Sequence, residues 1–192
     1  VGVVAVYVVY LFTTYHRIAD NLPLTVEQPA KKGTDVDALA IGTEYTALTY
    51  NIGFGAYTPD FSFFMDGGES SWAKSKESVI QTVQGAGDLV ASLDPDFSMI
   101  EEIDLDSTRS YHVNEYSVLK DCMSDYDCVF AQNYDSAFLF YPFTQPHGKS
   151  KAGLALFSKY PITGSLRRSF PISTSFTKFF DLDRCYSISR VP

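Results

Sequence analysis

The fold turns on one stretch, Pro95-Asp96-Phe97-Ser98-Met99-Ile100-Glu101-Glu102-Ile103-Asp104. Asp94-Pro95 ends whatever helix precedes it, because proline lacks an N–H and disfavours helical backbone in the residue before it. Asp96 to Ile100 then reads as a short strand that delivers Glu101 and Glu102 at its carboxyl end. Upstream, Val79, Ile80, Val83, Ala86, Val90 and Leu93 share roughly one helical face, which predicts a helix over Ser78 to Leu93. Gly85 and Gly87 weaken that helix intrinsically, so packing must hold it. Further back, Tyr45-Thr46-Ala47-Leu48-Thr49-Tyr50-Asn51 is β-branched and aromatic and stops at Ile52-Gly53, like a strand entering a loop. Two parallel strands joined by that helix would present Asn51 and Glu102 at one edge of a sheet. Ligands of α/β sheets bind at that edge.

Downstream, Val113, Tyr116, Leu119 and Met123 predict a second helix over Ser110 to Met123. Residues 127–131, 153–158, 165–170 and 185–191 read as strands, and Thr144 to Lys151 as a polar loop. This order argues for a mixed α/β sheet with helices on one face and a second face left open. Phe54 to Trp72 is a long loop carrying Phe54, Tyr57, Phe61, Phe63 and Phe64. Its aromatics form either a satellite cluster or the rim of a site.

The amino terminus, Val1 to Phe12, is free of charge and leads through Tyr15 to His16-Arg17. It is shorter than the ~20 apolar residues of a membrane helix, yet it starts without Met or a basic flank. Residues 1–18 are therefore expected to be the remnant of a membrane anchor or signal segment, with a buried Val-rich strand as the alternative. Pro23, Pro29, Lys31, Lys32 and Gly33 mark residues 19–42 as a linker, and residues 43–192 as the folded domain. The expected placement is membrane-anchored, with the domain extracytoplasmic.

Composition bounds the partners. Fifteen basic against 23 acidic residues give −8, which disfavours coating nucleic acid but leaves room for a phosphorylated substrate if a cation supplies local positive charge. Cys122, Cys128 and Cys185 fit no zinc spacing. Cys122 and Cys128 could pair as a disulfide, or all three could be buried thiols. A lone Glu beside an amide is adequate for Mg²⁺, which prefers oxygen and keeps several waters, and inadequate for zinc.

Three segments carry a resemblance. Ala47-Leu48-Thr49-Tyr50-Asn51-Ile52-Gly53 resembles the first motif of the endonuclease/exonuclease/phosphatase superfamily, and Pro95 to Asp104 its second, with Glu101 where Gln is usual. Ala152-Gly153-Leu154-Ala155-Leu156-Phe157-Ser158-Lys159-Tyr160-Pro161-Ile162 is similar to a third. The resemblance implies a four-layer α/β sandwich, of which the first half to two-thirds is expected in this chain. It implies Glu102 as ligand of Mg²⁺ (or Mn²⁺) and Asn51 in its first or second shell, both catalytic through the metal. It implies a hydrolase of phosphoesters, whether phosphodiesterase, phosphatase or nuclease. A small or lipid-borne substrate is expected in preference to bulk nucleic acid, with the membrane reached through the amino-terminal segment. Asp183-Arg184 resembles a position where the family often has Arg.

The family's Gly-Asp-x-Asn and Ser-Asp-His motifs are absent, so the chain is expected to be a fragment close to inactive alone. A non-catalytic membrane-tethered binding module with the same fold is the alternative. His112 reads as structural, His147 as a surface residue, and Lys149 and Lys151 as solvated.

Overall fold

The computed structural model describes residues 2–29, 38–172, 175–179 and 181–192. The charge-free start is a helix, α1 (Gly2–Thr14), and not a strand. Thirteen residues rise about 20 Å against a hydrocarbon core of about 30 Å. No helix among the described residues is long and apolar enough to cross a membrane. One side of α1 docks on the domain: the Tyr7 hydroxyl donates to the Phe138 carbonyl, the Tyr10 hydroxyl accepts from the Phe138 N–H, and Leu11 is buried. Val3, Val4, Val6, Val9 and Phe12 remain exposed.

The expected linker is corrected in part. Within it, β1 (Leu22–Leu24) and β2 (Val26–Glu27) are strands, while residues 30–37 lie outside the described residues. Leu22, Leu24 and Val26 alternate as strand residues do, and Pro23 is tolerated because β1 is an edge strand with no ladder on its outer side.

The centre follows the sequence closely. β3 (Ala47–Asn51) and β4 (Phe97–Asp104) are parallel neighbours, joined through α2 (Lys76–Leu93). Ser75 caps α2 by accepting the Ser78 N–H at 3.1 Å. Val79, Val83 and Val90 of α2 pack with Ile100 and Ile103 of β4 and with Leu119 of α3 (Glu115–Cys122). α3 starts five residues later than the periodicity predicts. Tyr111 and His112 both have positive φ (56° and 58°), which breaks the helix before Asn114 caps it.

β5 (Asp127–Asp135) and β6 (Lys151–Ser158) complete a sheet of order β2-β5-β6-β4-β3. β7 (Gly164–Ser169) and β8 (Cys185–Arg190) pair with β1 in a second sheet of order β1-β7-β8. The architecture is mixed α/β: helices α2 and α3, a five-stranded sheet, and a three-stranded sheet touching the far side of β5 through β8. These are three of the four layers the sequence led us to expect. Only part of the second face is covered, and Met99 remains 39% exposed there.

Arg167, fully buried on β7, holds the two sheets together. It donates to the carbonyls of Gln132 on β5, of Ala19, and of Asp183, and to the Ser169 hydroxyl. The three cysteines are free thiols, so the disulfide alternative is closed.

Candidate functional site

The site begins with an irregularity in β4. Ile100 pairs with Ala155 and Ile103 with Gly153, so Glu101 and Glu102 together face the single residue Leu154. This is a β-bulge, an extra residue that bends the strand and re-aims its side chains. Glu102 takes φ of 57°, a left-handed backbone that a side chain normally avoids. Strict alternation would turn Glu102 to the helix side with Ile100. Instead Glu101 and Glu102 are both exposed between two fully buried isoleucines.

Glu102 thereby joins Asn51 in one cleft of about 440 Å³, with Tyr50, Ile52, Gly53, Tyr57 and Thr82. The Asn51 amide oxygen accepts the Gly53 N–H at 2.9 Å, which fixes the side chain and leaves one lone pair. Gly53 is needed there: its φ is 55°, and a Cβ would meet the Tyr57 ring at 2.4 Å. Among the described residues the Glu102 carboxylate makes no hydrogen bond or ion pair. An unpaired carboxylate and a fixed amide oxygen suit a hard divalent cation that completes its shell with water. No group of three His, Cys, Asp or Glu that could hold a metal exists among the described residues. Zinc-type ligation is thus unsupported there.

A second cavity, about 380 Å³, shares Glu102 and Tyr57 with the first. Its floor is a buried charge network. Arg109 donates from Nε and Nη2 to the two oxygens of fully buried Asp104, at 3.0 and 2.8 Å. Ser110 Oγ donates to the same carboxylate. The Asp104 N–H donates to Glu115, whose carboxyl is pushed well above the usual range by burial and by the Asp104 charge. The charges of Asp104 and Arg109 offset one another within their ion pair. The Arg109 guanidinium also sits 3.8 Å from the centre of the Phe54 ring.

His147 lines this cavity and corrects a sequence expectation. Only 1% exposed, it packs against the rings of Phe63 and Phe64, and its Nε2 lies 3.3 Å from Ser150 Oγ. Burial, aided by the Arg109 charge, pulls it down to about 4, so it is neutral at pH 7. Its neighbours Pro146 and Gly148 suggested a surface loop, but Trp72 Nε1–H donates to the Pro146 carbonyl and folds that loop inward. Tyr57 is pushed up to about 12 by burial and by its hydrogen bond to Asp66. In the Phe54 to Trp72 loop, Phe54 joins the main core, with Phe61 and Phe63 packed against it, rather than a satellite cluster, while Tyr57, Phe63 and Met65 line the cavity. His112 pairs with Asp106 at the surface.

Neither a protein-family model nor a curated protein matches the chain. Among solved structures it is similar to the crystal structure of an endonuclease/exonuclease/phosphatase from Beutenbergia cavernae DSM 12333, at 14% identity and a TM-score of 0.46. That likeness covers 66% of this chain, and the chain spans 29% of that structure. Arg109 and Asn133 escaped the sequence reading. Arg109 follows Glu102 by seven residues in a polar run without periodicity, and Asn133 owes its position to a second bulge that no local pattern announces.

Proposed function

We propose that this chain carries the metal-binding front of a Mg²⁺- (or Mn²⁺-) dependent phosphoester hydrolase, with Glu102 as carboxylate ligand and Asn51 as the amide donor beside it. One observation carries this reading: the bulge that turns Glu102 out of the core, at the expense of a left-handed backbone, into the cleft of Asn51. Strained non-glycine residues persist where function holds them. A divalent cation supplies charge that offsets the developing negative charge on phosphoryl and leaving oxygens. The chain's own part is to hold the donors still, through the Asn51–Gly53 hydrogen bond and the paired ends of β3 and β4.

A small or lipid-borne phosphoester is favoured over bulk nucleic acid by the charge of −8. An apolar groove of about 630 Å³ supports the lipid-borne case, because Met65 lines both it and the cavity beside Glu102. Val3, Val4 and Tyr7 of α1 line the same groove, so α1 would face the membrane from which such a substrate is drawn. The test has two parts. Calorimetric titration of this chain with Mg²⁺ should show binding that Glu102→Gln abolishes. Mg²⁺-dependent hydrolysis of bis(4-nitrophenyl) phosphate by the full-length protein should fall at least ~100-fold in the same variant. Undiminished hydrolysis would refute the assignment.

A further inference from the structure

The cavity that shares Glu102 with the metal cleft has a feature that the cleft does not explain. Arg109 is rigid: two of its nitrogens are taken by Asp104 and its plane rests on Phe54. Its third nitrogen, Nη1, has no hydrogen bond among the described residues, although the side chain is only 12% exposed. Asn133 arrives by a second bulge: Gln132 pairs with Gly153 and Tyr134 with Ala152, leaving Asn133 as the extra residue. Its amide also lacks a hydrogen bond among the described residues, and Arg184 at the same wall lacks an ion pair there. The two bulges flank one point on β6, around Gly153 and Leu154. One turns out an acid, the other an amide, and both reach the same cavity.

Resting on the phosphoester reading above, we infer that this cavity is the anion subsite for the substrate's non-reacting phosphoryl oxygens, with Arg109 and Asn133 as its fixed donors and Arg184 at its mouth. Guanidinium N–H groups and a side-chain amide suit a tetrahedral oxyanion, and charge-assisted bonds of this kind are about twice as strong as neutral ones. Pre-set donors also spare the entropy of arranging them. The charge balance adds a condition. Asp66, Glu102 and Asp181 share the cavity, and Asp104 neutralises Arg109, so the field is negative until a cation sits at Glu102. Phosphate and divalent cation should therefore bind cooperatively, each raising the other's affinity by the same factor.

The experiment is calorimetric titration of the 192-residue chain with inorganic phosphate, with and without Mg²⁺, in the wild type and in Arg109→Lys, Asn133→Asp and Glu102→Gln. Phosphate affinity should rise with Mg²⁺ and fall about tenfold or more in Arg109→Lys and in Asn133→Asp. Mg²⁺ affinity measured without phosphate should stay within about twofold in Arg109→Lys, which keeps the charge, and should not fall in Asn133→Asp, which adds a carboxylate to the cavity that Glu102 lines. Should Arg109→Lys prove misfolded by circular dichroism, Asn133→Leu, which removes the amide without adding charge, decides alone by the same loss of phosphate affinity. Mg²⁺ binding that Glu102→Gln abolishes, together with phosphate affinity indifferent to both donor variants, overturns the subsite and leaves the metal reading intact. Phosphate binding that depends on Arg109 or Asn133 in a chain that binds no Mg²⁺ overturns the metal reading and keeps the subsite.

Discussion

Glu102 pays in backbone strain for its position, and that makes a separable prediction. Glycine adopts a φ of 57° without the penalty that any Cβ incurs there. Glu102→Gly should therefore be more stable than Glu102→Ala by about 1 kcal/mol in urea unfolding, while both lose Mg²⁺ binding. His147 gives a pH prediction. Its folded value near 4 lies below the unfolded value near 6.5, so the unfolded chain binds the extra proton between them. Stability from His147 is full above pH 6.5 and is lost as pH falls towards 4, by at most about 3 kcal/mol. Glu115 is raised and acts oppositely, losing its contribution as pH climbs above the unfolded carboxylate value. The difference between wild type and His147→Gln, followed by thermal unfolding from pH 4 to 7, isolates the histidine. At this scale the sequence singled out the two residues that share the cleft, because strand ends and motif order announce Asn51 and Glu102. It misread His147, because what buries that ring comes from Phe63, Phe64 and Trp72, more than seventy residues away.

At the scale of elements, α2 shows what a helical pattern can and cannot reveal. Gly85 and Gly87 look alike in the sequence, two poor helix formers within an apolar period. A Cβ on Gly85 meets nothing within 4 Å, whereas one on Gly87 would lie 2.5 Å from Cys122 Sγ and 2.9 Å from its Cβ. Gly87 is thus a point of close approach between α2 and α3. Gly85→Ala should raise stability by about 1 kcal/mol in urea. Gly87→Ala should lower it by about 1–3 kcal/mol through overpacking. Equal effects would show that intrinsic propensity alone governs the helix. The βαβ unit was legible because its period changes cleanly from two to 3.6 and back. β1 and β2 were not, since two prolines hid a three-point alternation whose partners lie more than a hundred residues downstream.

For the whole molecule, Arg167 is the side chain that makes the most hydrogen bonds where the two sheets meet among the described residues, with Cys185 Sγ adding one to the Gln132 carbonyl. It is fully buried and satisfied by carbonyls and one hydroxyl, with no carboxylate among its hydrogen-bond partners in the described residues. Arg167→Met would fill similar volume but take the guanidinium donors from the carbonyls of Ala19 and Asp183 and leave Gln132 with the weak Cys185 thiol donor, and should cost about 3 kcal/mol or more in urea. A cost below about 1 kcal/mol would mean that the sheets associate without it. Element order by itself read as one mixed sheet and the family resemblance implied the sandwich of two, but the pairing of β1 with β7 was not legible, because it is a decision made across the chain. That pairing has a consequence in time. Arg17 meets Asp183 across 166 residues, and Leu22 meets Arg167 across β1 and β7. A ribosome adding roughly 5–20 residues per second releases the early strand on the order of ten seconds before its mate exists. Newborn β1 must wait, unpaired, while the helix-backed layer condenses without it.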